Sequence, residues 1–517
     1  MSIEKTKFEV SVDAEVGSIS SPEAHGETDK LRVQFSTLSL ISLGFGIACT
    51  WAGYGSSVGA TYLYGGAPAV VWTLPIACLY LGLVAVGMAE LASAYPSSGG
   101  QYHWTYMVSP DNCKVFLSYL CGWMMTVASW FAGCSLSQIC AGYTFNMASV
   151  GNPDFAATQW QLYLLYVLYY FMATAVNVFA SKWLSHVNNV IMACSIIGLL
   201  VSFLAILICH KAGFRSNDFV WTDYVNSTGW SSDGLAFLLA IGNACFSLLG
   251  ADGASHLTDE IDQPAKKVPI AMIVPSFMGF ITAWPFCIAF AYVTKDLASV
   301  MNSSFPITEV YYTATGNASL TIFIAFMNMI SMFGGLIGSL QAFSRSTAAL
   351  ARDGGMPFPH FFGRVNSTWR VPINAMFLEG AFVVLYGLAQ LGSSVAFSAA
   401  VNSLCLFLMI SYCFPQAILL VRGRSILPER YLDLGFYFGY FVNATSVVLT
   451  ALFGVLFCYP SYKDITLQNM NWVSVTAVGV IVILMVGWFC GLNKTFKGPA
   501  VDLEKIKFLR EEGVLLK

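Results

Sequence analysis

Residues 51–60 read WAGYGSSVGA, inside the longer apolar run LSLISLGFGIACTWAGYGSSVGATYLYGG. Three glycines and two serines fall where a membrane helix would be most regular. Glycine weakens a helix by about 1 kcal/mol relative to alanine. In lipid, an interrupted helix is tolerated only where it lines a cavity or packs on protein. The stretch therefore predicts a first membrane crossing that breaks partway through, close to Gly53 and Gly55.

The rest of the chain sets the context. Its 517 residues are 56% hydrophobic and only 10% charged. Soluble domains carry roughly 25% charge, so this composition implies a polytopic membrane protein. The net charge of −3 gives no sign of nucleic-acid binding. The 14 cysteines lie mostly singly in apolar runs, as at Cys78, Cys121, Cys194 and Cys287, and form no CxxC pair. They read as small core residues with free thiols, with no metal-ligand cluster.

Apolar stretches near ~20 residues are candidate spans. They fall at about 37–63, 67–94, 115–148, 160–181, 187–209, 235–256, 269–293, 318–344, 373–391, 394–421, 434–458 and 472–492, which makes about twelve helices and an all-α fold. With the amino terminus inside, 21 of the 25 Lys and Arg residues fall on the cytoplasmic side; Lys211, Arg215, Lys295 and Lys463 fall outside. That bias supports cytoplasmic termini and an even number of crossings. The sequons at Asn226, Asn302 and Asn317 then lie outside, and the one at Asn366 lies inside. Residues 1–34 read as a disordered tail in which Ser18, Ser20 and Ser21 are candidate modification sites. Residues 35–209 and 210–421 form two five-helix halves, 422–492 add two helices, and 493–517 form a second tail.

A second interruption stands 200 residues after the first. The sixth span contains NACFSLLGADGAS, where Gly250 and Gly253 flank Asp252. Spans one and six open the two halves, and paired glycine-interrupted spans point to a transporter site. The competing explanation for each cluster is close packing of small residues. A carboxylate inside a span costs about 2.5–3.5 kcal/mol on insertion scales, so Asp252 is expected to face a cavity or a partner.

Several longer motifs stand in order between the spans: MAELASAYPSSGGQYHW (88–104), DGASHLTDEIDQPAKKVPIAM (252–272), FPITEVYYTATGN (305–317), SRSTAALARDGGMPFP (344–359) and RVPINA (370–375). Through them the chain resembles the amino acid/choline transporter family of the amino acid–polyamine–organocation superfamily, from about residue 35 to 492. The resemblance implies a leucine-transporter-like fold of five plus five inverted helices with two more at the end. It also implies small amine substrates: amino acids, 4-aminobutyrate, choline, polyamines or thiamine. Counting back from Gly65 and Gly66 places the relatives' Gly-Ser-Gly-like break at Trp51-Ala52-Gly53, so a Trp stands where they carry a Gly. A gating acid in such relatives lies twelve residues before the Pro of an Asn-Pro; here Gln263-Pro264 replaces that pair, and the position is Asp252.

The residues themselves suggest roles. Free backbone groups at the two breaks would receive a carboxylate and an ammonium. Trp51, Ala52, Gly53, Tyr54 and Gly55 at the first break, Phe246, Gly250, Asp252 and Gly253 at the second, and Trp130 on the third span are the candidate substrate contacts. Trp51 is expected to narrow the site or stack on a cation. His256 follows Asp252 at i+4, a spacing that would pair them as a proton-coupling unit. Glu90 is a candidate either for proton relay or for a structural bond to the SSGGQY loop. Glu379 reads as a snorkelling or helix-contact acid near the cytoplasmic end of the ninth span. SRSTAALARDGGMPFP reads as a short amphipathic cytoplasmic helix, whose Arg345 and Arg352 would pair with Asp259, Glu260 or Asp262 as an inward gate.

The expected function is secondary transport of a small amine or amino acid by alternating access across the plasma membrane, by a monomer or weak dimer, with no cofactor and with H+ as coupling ion. No Walker motif is present to couple ATP. Sodium is the competing ion, with Asn189, Asn328 and Ser331 as its only polar candidates. A nutrient sensor of the same fold and an exchanger are the competing functions. No nucleophile elbow, His-Glu pair or cofactor fingerprint supports an enzyme.

Overall fold

A computed structural model describes residues 34–500, apart from 153, 156, 211–212, 304, 392–395 and 467–468. Most of both tails, Lys211 and the tight turn within QLGSS lie outside the described residues.

The described elements are helical. Helix α1 (Thr37–Ala48) opens on a capping box, in which Ser36 and Ser39 each bond the other's backbone N–H. It stops at Cys49, whose backbone is left-handed (φ 40°, ψ 45°). Helix α2 (Thr50–Ala94) resumes at once and folds back at Gly65 and Gly66 (φ 66°). It therefore carries the second half of the first span and all of the second. Next come α3 (Gln101–Val108), α4 (Lys114–Gly151), α5 (Gln159–Phe179), α6 (Leu184–Ile208), α7 (Asn217–Trp221) and α8 (Asp233–Cys245). A short 3-10 turn, Phe246–Leu248, leads to the second break, and a ten-residue 3-10 segment, Ala251–Glu260, follows it.

The remaining helices are α9 (Pro264–Val293), α10 (Leu297–Asn302), α11 (Pro306–Thr315), α12 (Ala318–Arg352), α13 (Pro359–Phe362), α14 (Ile373–Gln390), α15 (Ala396–Arg422), α16 (Phe436–Phe457) and α17 (Val473–Gly487). Among the described residues, ten segments are long and apolar enough to cross a membrane. One of them, Thr37–Ala94, doubles back at Gly65–Gly66, and Ile373–Ala389 is a shorter apolar helix. Counting both brings the bundle to the twelve crossings expected from the sequence.

Helices α2, α4, α9, α12 and α15 pack most extensively and form the core, whereas α17 buries only Val473 and Leu484. The end of the bundle rich in arginine is tied together by polar contacts. Tyr102 bonds Asp353 (2.7 Å), and Arg422 bonds the carbonyls of Val108 and Ser109 (3.0 and 2.9 Å). In the loop there, Lys267 pairs with Asp262 (2.6 Å), which holds that exposed carboxyl below its usual range. At the opposite end Tyr224 bonds the Tyr64 carbonyl (2.9 Å) across the Gly65 fold.

Two sequence expectations change here. SRSTAALARDGGMPFP is not a separate amphipathic helix, because α12 runs unbroken through Arg352. Conversely, the loop after Tyr95 contains a helix of its own, α3, which places Gln101 and Tyr102 in the core.

Candidate functional site

The two breaks differ from their expected form at the first span. The chain leaves helical geometry at Cys49, two residues before Trp51, and Trp51, Ala52, Gly53, Tyr54 and Gly55 all lie on regular helix. Their small residues serve packing. A Cβ on Gly53 would sit 3.4 Å from Ser247 of the sixth span, and one on Gly55 would lie 2.3 Å from Ile307. At the second break Leu249 is extended and Gly250 is left-handed (φ 99°). Ile47, just before the first break, seats its side chain where Cβ atoms on Gly250, Gly253 and Gly338 would stand (2.2, 2.6 and 2.9 Å). The glycines of the second break thus let the two broken spans touch through one isoleucine.

A cavity opens between the breaks. It is lined by Ile47 and Ala48, by Phe246, Leu249 and Gly250, by Ala132 and Leu136 of α4, by Met332, Ser339 and Phe343 of α12, and by Leu404 and Leu408 of α15. Of the expected contacts, Phe246 and Gly250 line it. Trp51 does not: it is fully buried on the far side, donating from Nε1 to Ser195 Oγ (2.9 Å) and meeting Phe286 edge-on at 5.7 Å. Trp130 sits in an aromatic group with Trp123 and Phe382. Tyr54 and Gly55 border a second, smaller cavity against Phe286 and Phe290 of α9.

Asp252 is fully buried on the arginine-rich side of this cavity and is held from three directions. Gln101 Nε2 donates to Oδ2 (2.6 Å), Tyr412 Oη donates to Oδ1 (2.5 Å), and His256 Nε2 lies 3.1 Å from Oδ2. Tyr412 Oη also accepts from the Gly250 N–H (3.3 Å), which ties the carboxylate to the break itself. His256 Nδ1 faces the Ser98 carbonyl at 3.2 Å. A carbonyl only accepts, so Nδ1 carries a proton there. Nε2 meets the carboxylate oxygen at hydrogen-bond distance, so two titratable side chains stand in direct contact. Phe343 touches both sides of this arrangement, lining the cavity and lying 5.5 Å from the His256 ring.

One turn farther on, Glu260 ends the 3-10 segment. It pairs with Arg345 of α12 through Nε, and its other oxygen accepts from Gln34 Nε2 (3.0 Å). Both charged groups are almost fully buried. Arg352 takes no part in this pair and lies half-buried two turns along α12.

Glu90 meets two arginines rather than the SSGGQY loop. Arg424 reaches both its oxygens (2.5 Å each), Arg430 bonds it at 2.7 and 2.9 Å, and the Leu434 N–H donates to it (3.1 Å). The carboxylate thus ties α2 to the segment that follows α15. Glu379 is 3% exposed and packs where a Cβ on Gly133 would stand, so it makes a helix contact and does not snorkel. Asn328 and Ser331 bond the backbone of their own helix, and Asn189 accepts from Ser42. Among the described residues no group of three or more His, Cys, Asp or Glu side chains is placed to hold a metal.

Sequence reasoning missed Gln101 and Tyr412. Gln101 stands in the quoted SSGGQYHW motif, so its position was marked although its reach to Asp252 was not. Tyr412 lies in an unbroken apolar run that gives no signal.

A helical bundle that crosses a membrane and brings two interrupted spans together at a buried cavity has the architecture of a membrane transporter. The sequence profile of the family described as "Amino acid permease" matches residues 35–486. The chain is 30% identical to a choline transporter of Saccharomyces cerevisiae over 467 residues, covering 90% of this chain and 82% of the relative. It is 28% identical to an uncharacterized amino-acid permease of Schizosaccharomyces pombe, covering 97% and 92%. It is 25% identical to amino-acid permease 2 of Neurospora crassa, covering 92% and 88%. The chain belongs to the amino acid permease family. It is a multi-pass membrane transporter of small organic substrates, not an enzyme.

Proposed function

We propose that the chain is a secondary active transporter that moves a small amine or amino acid by alternating access, binds it in the cavity between the two breaks, and couples its movement to protons. The observation that carries this reading is the Asp252–His256 pair. It lies fully buried beside the cavity, sets two titratable side chains in direct contact, and is bonded through Tyr412 to the Gly250 backbone. Protonation there would change the charge beside the break that contacts the substrate. The cavity lining is apolar, with Phe246 and Phe343 as its rings and no charged side chain. Such a lining suits a substrate with an apolar or weakly hydrated cationic body, whose charge is met by ring faces and by the backbone at the breaks. The likeness to a protein named as a choline transporter favours an amine among the candidates.

On this reading the arginine-rich end faces the cytoplasm of a plasma-membrane protein. The buried Glu260–Arg345 pair then holds the inward path shut, while Arg352 serves topology alone. The test is uptake of labelled choline, 4-aminobutyrate, polyamines and amino acids in permease-deficient cells, with Asp252→Asn alongside. One substrate class should be taken up faster at lower pH, and Asp252→Asn should abolish that uptake. Normal transport of every substrate by Asp252→Asn would overturn the site. A rate that is flat between about pH 5 and 8 but depends on sodium would overturn the proton as coupling ion.

A further inference from the structure

A second polar feature lies away from the cavity, where α2, α15 and α16 meet. One face of α16 presents Gly439, Asn443, Ser446 and Thr450 at helical spacing. Opposite runs the face of α2 that carries Glu90, Gly87 and Tyr80. Both ends of this seam are closed by direct bonds. At one end the Arg424 guanidinium, flush against Gly439, bonds Glu90. At the other, Tyr80 and Thr450 share a hydrogen bond of 2.8 Å.

The middle has no such closure. Asn443 and Ser446 are fully buried, yet neither Asn443 Nδ2, Asn443 Oδ1 nor Ser446 Oγ bonds a protein atom. Gln416 of α15, also fully buried, turns its Oε1 to the spot where a Cβ on Gly87 would stand, and that oxygen is equally unpartnered. Its Nε2 is committed to the carbonyls of Val84 (3.3 Å) and Tyr412 (3.2 Å), so the oxygen acts only as an acceptor. Arg424 adds two unpartnered donors, Nε and Nη1, at the closed end. Buried polar groups are almost always satisfied by protein or by ordered water.

The chemistry of the set selects the ligand. The fixed acceptor on Gln416 disfavours an anion, and the Arg424 guanidinium disfavours a cation. A neutral molecule that both donates and accepts, and fits between packed helices, is required. We infer that the α2–α15–α16 seam is an internal hydration site, in which ordered water bridges Asn443, Ser446 and Gln416 between the Glu90–Arg424 lock and the Tyr80–Thr450 bond. The site is separate from the cavity and stands whether or not the proposed substrate and coupling ion are right.

The test is in-situ radiolysis of the full-length protein in lipid nanodiscs, read by mass spectrometry, since bound water yields hydroxyl radicals that label the side chains beside it. Val442 is fully buried next to Asn443 and against Gly87; Val71 of α2 and Val310 of α11 are buried to the same degree elsewhere. Val442 should label at least about fivefold faster than those two controls. The Asn443→Leu, Ser446→Ala double variant should bring it down to their rate. Control-level labelling of Val442 in the wild type would overturn the site, as would fast labelling that persists in the double variant. If the double variant does not fold, the wild-type comparison of Val442 with Val71 and Val310 decides alone.

Discussion

The two interruptions lie against each other and are built in opposite ways. The first is a single left-handed residue, Cys49, between two regular helices. The second spans an extended residue, a left-handed glycine and ten residues of 3-10 helix, which carry Asp252, Asp259 and Glu260. The first break keeps its backbone almost continuous: the Cys49 N–H bonds the Phe45 carbonyl (2.9 Å), and the Gly53 N–H bonds the Cys49 carbonyl (2.8 Å). The second recruits side chains from α3 and α15 to hold it. A break that stays nearly helical can act as a fixed wall of the cavity. A break that depends on distant side chains can respond to what those groups sense.

This contrast can be attacked by substitution, and the largest effect is expected at the far end of the second break. Arg345→Ala leaves Glu260 buried without its partner, a loss of about 3–5 kcal/mol. The thermal midpoint of the purified protein should fall sharply, and the Arg345→Met, Glu260→Gln pair should recover much of it. A silent Arg345→Ala would mean that the pair holds nothing closed. Next comes Gly250→Ala, which adds a strained left-handed alanine, about 1–3 kcal/mol, and a Cβ 2.2 Å from Ile47. Uptake and stability should both drop. Cys49→Gly makes the converse change at the first break. It removes the left-handed penalty of about 1–2 kcal/mol but loosens the unfolded chain, so the midpoint should move little and uptake should persist. Comparable damage from the two would erase the distinction between the breaks. On substrate choice the smallest effect is expected for Trp51→Phe, which forfeits one buried hydrogen bond to Ser195, about 1 kcal/mol of stability. The order of preferred substrates should not change; a reordered panel would return Trp51 to the binding surface.

The sequence announced the architecture because lipid restricts what a chain can do. Apolar runs near a bilayer's thickness and the Lys/Arg bias required many crossings, and Gly65–Gly66 fell between the first two of them. The second break was legible for the same reason, since Gly250 and Asp252 have no ordinary place in a span. The first was misplaced by four to six residues, at Gly53 and Gly55 rather than Cys49. The glycines of WAGYGSSVGA drew attention to themselves, whereas they keep room for Ser247 and Ile307, and a cysteine makes the turn. Periodicity could not reveal that Trp51 points to α6 and α9, because an all-apolar helix has no face that marks its direction. Nor could it pair Glu90 with arginines more than 300 residues away. Such contacts depend on which helices become neighbours, which local patterns do not encode.

The 3-10 segment Ala251–Glu260 has a mechanical consequence. Such helix rises about 2.0 Å per residue against about 1.5 Å for an α-helix, so these ten residues are about 5 Å longer than their α-helical form. The segment is fixed at one end to the cavity through Asp252 and at the other to α12 through Glu260. Rewinding it would act as a stroke along its axis, drawing the Glu260 anchor toward the cavity without bending any helix of the core.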